Sequence, residues 1–141
     1  MNTGTAVAVA LTFIWLGMVL AISFLEAPLK FRAPNVTLQI GLGIGRLVFR
    51  VLNTIEVAFA LVIAAIVVAG PSRTGVAVAI AVAVGALAVQ LVAVRPGLTR
   101  RADRVLAGSD GPRSRAHYAY VALEVVKVAG LVAAGILLLS G

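Results

Sequence analysis

Four stretches of the chain are free, or nearly free, of charged and amide side chains: residues 5–25, 47–69, 75–94 and 118–139. Each is close to the ~20 residues that a helix rising 1.5 Å per residue needs to cross the ~30 Å hydrocarbon core of a bilayer. The first carries no charge, the second only Arg50, Asn53 and Glu56, the third Gln90, and the fourth Glu124 and Lys127. Between the second and third stands only Gly70-Pro71-Ser72-Arg73-Thr74, a run of helix breakers that predicts a tight helical hairpin. From Val76 to Val84 the third stretch alternates in a strand-like manner, but it alternates large with small, not apolar with polar. It therefore lacks the two-faced pattern of a barrel wall. The pattern predicts an all-α fold: one transmembrane domain over residues 1–141, an integral membrane four-helix bundle.

Composition points to the same solvent. The chain is 62% hydrophobic and 12% charged, against about half and one quarter in an average soluble domain. That balance excludes an ordinary water-soluble fold and excludes disorder. There is no cysteine, hence no disulfide, thiolate metal site or cysteine nucleophile. The first stretch has no positive leader and no small-residue cleavage pattern, so it reads as a retained span, not a signal peptide.

The net charge of +7 would suggest nucleic acid in a soluble protein. Here the basic residues lie beside span ends, where topology places them, and no aromatic residues interleave with them to stack bases. Nucleic acid is not an expected partner; the bilayer and its anionic headgroups are. The first loop holds Lys30, Arg32 and Arg46, with Arg50 just inside the next span. The third holds Arg95, Arg100, Arg101, Arg104, Arg113 and Arg115, while the second has Arg73 alone and the tails have none. Ten basic residues against one predict a multi-pass cell-membrane protein with loops one and three in the cytoplasm and both termini outside.

In the third loop Leu98, Ala102, Val105 and Leu106 recur at helical spacing, with Arg100, Arg101, Asp103 and Arg104 elsewhere round the turn. This predicts a short cytoplasmic amphipathic helix between spans three and four, ended by Gly108-Ser109-Asp110-Gly111-Pro112. Arg100, Arg101, Arg104, Arg113 and Arg115 would then face lipid headgroups. In the first loop Asn35 is the expected cap of a helix from Val36 to Ala69, about 50 Å long. Gly41, Gly43 and Gly45 would kink it or let a neighbour approach closely. They do not spell a nucleotide-binding loop, since Arg46 stands where a further glycine is required.

The ionisable and amide side chains inside the spans gather toward the arginine-rich end. Arg46, Arg50, Asn53 and Glu56 advance along one helix by four, three and three residues, and Tyr120, Glu124 and Lys127 along another by four and three. An unpaired charge at such depth costs at least ~2.5–3.5 kcal/mol. Pairing of Glu56 with Lys127 and of Arg50 with Glu124 is the expected solution, with an intrahelical Glu124–Lys127 pair as competitor. Glu26 can pair locally with Lys30. Trp15 lies in mid-span and reads as a packing residue, and His117 beside Tyr118 and Tyr120 as an interfacial one. One histidine without cysteine makes neither a bis-histidine haem site nor a zinc site, so no metal or cofactor is expected. No serine–histidine–acid set or carboxylate pair stands out, which argues against an enzyme.

Offset by 68 residues, Pro28 aligns with Pro96, Arg32 with Arg100, Gly17 with Gly85 and Glu56-Val57 with Glu124-Val125. Such a repeat of two spans each would be parallel, about an axis along the membrane normal, although total identity is only about one position in eight. The stretch Glu26-Ala27-Pro28-Leu29-Lys30-Phe31-Arg32 resembles the apolar-Pro-x-x-Phe signature after the first span of a four-helix membrane family, the transmembrane protein 205-like group. The resemblance implies a four-span fold and a membrane location, and brings no substrate or catalytic residue.

Three functions follow as expectations. One is a small transport or solute-binding module with Glu56 and Lys127 at its core, Glu124 and Arg50 at its mouth and Asn53 between. Another is a non-catalytic accessory subunit, docking through Gly41/Gly45 and Ala129/Ala133 into a larger membrane complex or a homo-oligomer. The last is a lipid-directed enzyme using Glu124 and His117.

Overall fold

The computed structural model of the protein describes residues 2–71, 73–106 and 115–140, without the side chains of Arg101, Val105, Leu106, Arg115 and Ala116. Arg113 and the 108–112 break lie outside the described residues. Those described are all-helical apart from short connections. Four long helices follow one another: α1 (Thr3–Arg32), α2 (Leu38–Ala69), α3 (residues 74–106) and α4 (Arg115–Ser140). Each is long and apolar enough to cross a membrane.

Their shared core holds Trp15 and Val19 of α1, Ile63 of α2, Ala83 and Leu87 of α3, and Leu131 and Ala134 of α4. The outward faces are as apolar as the core: Leu61 is 68% exposed, Val92 79% and Val68 85%. A water-facing surface would not carry them, whereas lipid makes them neutral. Helices α3 and α4 approach most closely where small residues meet. A Cβ added to Gly130 would stand 3.1 Å from the Ala79 carbonyl oxygen and 3.2 Å from the Ala83 nitrogen.

Two prolines that should stop their helices do not. In α1 the segment Leu20–Glu26 is π-helical, and the Ala27 amide donates five residues back, to the Ile22 carbonyl. In α3 the segment Gln90–Val94 is π-helical, and the Arg95 amide likewise reaches the Gln90 carbonyl. Proline has no amide hydrogen, and its ring collides with the carbonyl four residues earlier in a regular helix. The wider turn relieves that collision, so the chain stays helical through Pro28 and Pro96. Ile22, Ala27 and Pro28 match Gln90, Arg95 and Pro96 at the 68-residue offset, so the same distortion occurs at equivalent places.

Residues 95–106 are helical as the sequence predicts, but they extend α3 instead of forming a separate helix. Arg46 on α2 holds this extension through an ion pair with Asp103 at 2.7 Å. The expected cap at Asn35 is corrected: Asn35 takes a left-handed conformation (φ 67°) in the turn. Thr37 caps α2 instead, its hydroxyl accepting from the Ile40 amide at 3.1 Å. Helix α2 runs unbroken through Gly41 and Gly45. They leave room for side chains at the end of α1: a Cβ at Gly41 would collide with the Phe31 ring, and one at Gly45 would lie 2.8 Å from the Lys30 Nζ. At the opposite end Arg73, in the α2–α3 hairpin, donates to the Leu137 carbonyl near the end of α4.

Candidate functional site

The buried polar cluster is built on Lys127. Its Nζ lies 2.5 Å from Glu56 Oε2, 2.5 Å from Glu124 Oε1 and 3.0 Å from Gln90 Oε1. Three donors thus meet three acceptors from three helices, which is the full capacity of an ammonium. Lys127, Glu56 and Gln90 are fully buried and Glu124 is 2% exposed. Glu56 Oε2 also accepts from the indole nitrogen of Trp15 at 2.8 Å. Glu124 likewise has three partners: Oε1 accepts from Gln90 Nε2 at 2.7 Å as well as from Lys127, and Oε2 accepts from the Ser23 hydroxyl at 2.5 Å. Ser23 and Gln90 both lie in the π-helical segments. At the margin the Tyr120 hydroxyl donates to Asn53 Oδ1 at 3.3 Å.

The Glu56–Lys127 pair is present as the sequence predicts, and the intrahelical Glu124–Lys127 pair is present with it. The Arg50–Glu124 pair is not. Arg50 is exposed and makes no ion pair among the described residues; its carbonyl accepts from the Thr54 hydroxyl. Six residues at 3.6 per turn leave Arg50 about 120° around α2 from Glu56, too far to share its face. Lys127, one turn beyond Glu124, meets that carboxylate instead. Asn53 is buried but reaches Tyr120, not the carboxylates. The Glu26–Lys30 pair forms at 3.7 Å.

Sequence reasoning missed Trp15, Ser23 and Gln90. Gln90 offered a signal, as the one amide in an otherwise apolar span. Trp15 and Ser23 offered little, because indoles and hydroxyls are common in spans for packing alone. His117 stacks edge-on against Tyr118 with ring centroids 5.7 Å apart. Of the arginines expected at lipid headgroups, Arg100 and Arg104 are exposed.

Beside the cluster, at the arginine-rich end, lies a cavity of about 570 Å³. Its floor includes Ser23, Asn53, Tyr120 and Glu124, and its wall runs outward past Phe49 and His117 to the exposed Phe31 and Arg32. The volume is within the ~300–1,000 Å³ of small-molecule sites. Compared with models of protein families, with curated proteins and with solved structures, the chain matches none.

Proposed function

We propose that the protein is a small transport or solute-binding module of the cell membrane, working through the Glu56–Lys127–Glu124 cluster. The reading places the arginine-rich end in the cytoplasm, both termini on the extracytoplasmic side, and Arg100, Arg101, Arg104, Arg113 and Arg115 near anionic headgroups. The four-span plan is that of the transmembrane protein 205-like group.

One observation carries the proposal: Glu124 belongs both to the buried cluster and to the cavity lining. A solute in the cavity therefore reaches a carboxylate already bonded to Lys127, Gln90 and Ser23, and any change there is passed to Glu56 through Lys127. With both carboxylates ionised, two negative charges share one ammonium, so one proton or small cation would neutralise the set. Intramembrane ionisable residues are by default functional.

Native mass spectrometry of the protein released from membranes in mild detergent tests this. The wild type is expected to retain a small molecule whose retention Glu124→Gln changes while Trp15 emission stays that of the folded state. A wild type that carries no small molecule and co-purifies with a stoichiometric protein would overturn the proposal in favour of the accessory subunit. That alternative retains only Ala129 and Ala133, which are exposed on α4, because Gly41 and Gly45 are covered by this chain's own Phe31 and Lys30.

A further inference from the structure

We infer that the cavity beside the cluster is an anion site, taking a phosphate or carboxylate head carried on an apolar body. This deepens the solute-binding reading by naming the ligand class, and depends on that reading only for transport.

The charges lining the cavity are unequal. Lys30, Arg32, Arg46 and Arg95 face one carboxylate, Glu124, which is already bonded to Lys127. Arg46 is paired with Asp103, but Arg32 and Arg95 make no ion pair among the described residues. Lys30 is the most telling. Its side chain is only 10% exposed, and Glu26 lies 3.7 Å away, beyond hydrogen-bonding range. Its remaining neighbours are the rings of Phe31 and Phe49, 5.7 and 5.9 Å from Nζ to the centroids. A cationic side chain this far withdrawn from solvent is costly unless it is well paired, and the contact with Glu26 is a long one that an anion in the cavity would supplement. Gly45 leaves room for it, since an added Cβ there would stand 2.8 Å from Nζ.

The other half of the lining is apolar. Phe24, Phe31, Leu42, Phe49 and Leu98 stand between the basic groups. A bare inorganic anion would leave that surface uncovered, and an uncharged apolar molecule would leave the cations unanswered. An amphiphilic anion satisfies both. A membrane phospholipid and a soluble organic acid or phosphate share this chemistry, and the experiment separates them.

The full chain, in an uncharged detergent, is titrated calorimetrically with dodecyl phosphate, with dodecyltrimethylammonium as the control of opposite sign. Saturable binding of the phosphate alone is expected. Lys30→Gln and Arg95→Gln should each weaken it about tenfold, as the loss of one charged hydrogen bond does. Arg95→Lys should recover part of it, and Arg73→Gln, at the opposite end of the molecule and outside the lining, should leave it unchanged. In a second arm, dodecyl phosphate competes with phosphatidylglycerol retained from nanodiscs or with inorganic phosphate in solution. Displacement of the lipid identifies a headgroup as the natural source, and competition by phosphate alone a soluble one; either supports the site. Equal binding of the cationic amphiphile, or wild-type affinity in both glutamine variants, overturns it. If dodecyl phosphate fails to bind while Glu124→Gln still changes the retention of a solute, the anion site falls and the transport reading stands. Binding by a protein that retains no solute and carries a protein partner reverses that outcome.

Discussion

Lys127 makes the buried carboxylates tolerable, because its one ammonium touches both Glu56 and Glu124 while fully withdrawn from solvent. Taking one partner from a buried ion pair leaves an uncompensated charge and costs ~3–5 kcal/mol, more than the pair itself contributes. Lys127→Met is therefore expected to lower the thermal midpoint in detergent sharply. Adding Glu56→Gln and Glu124→Gln to it should recover much of the loss, since the charges are removed together. A triple variant no more stable than Lys127→Met would show that the carboxylates are not held by the lysine. Trp15→Phe keeps most of the ring volume but deprives Glu56 of an indole donor. A loss of ~1–3 kcal/mol is expected, read from the same unfolding curves.

Within the elements, the close approach of α3 and α4 and the two π-helical segments govern which side chains meet. Gly130 sits against the backbone of Ala79 and Ala83, which cannot turn aside as a flexible side chain could. Gly130→Ala should force the helices apart and destabilise by ~1–3 kcal/mol. Gly17, with nothing within 4 Å of an added Cβ, is the control. Gly17→Ala should be neutral or stabilise by up to ~1 kcal/mol, because alanine loses less backbone freedom in a helix. Equal effects at the two glycines would mean that helix propensity, not contact, sets their role. The π-helical segments act differently, by rotating the remainder of the helix: one extra residue shifts its phase by about 100°.

Across the molecule, polar groups are sorted by end. Cluster, cavity and all but one of the described basic side chains share the end away from the α2–α3 hairpin, where Arg73 alone among them stands. This asymmetry predicts that a reporter active only outside the cytoplasm, fused after Gly141, will be active. A reporter signal confined to the cytosol would reverse the proposed orientation and turn the cavity outward. The Arg46–Asp103 pair is partly exposed, with side chains 33% and 55% accessible. An exposed pair is worth ~0–1 kcal/mol, so it contributes little to overall stability even though it spans α2 and the α3 extension.

The spans, the hairpin and the Glu56–Lys127 pair could be read from order along the chain. Long apolar runs have one stable solution in lipid, and two opposite charges at similar depth have strong reason to meet. The partnership of Glu124 with Ser23 and Gln90, the bond from Trp15, the exclusion of Arg50 and the cavity could not. They depend on how far each helix is rotated about its axis relative to its neighbours. That rotation is set by contacts between helices, as at Gly130, and by bulges that shift the helical phase. Residues 101 positions apart, such as Ser23 and Glu124, become neighbours only once those rotations are in place.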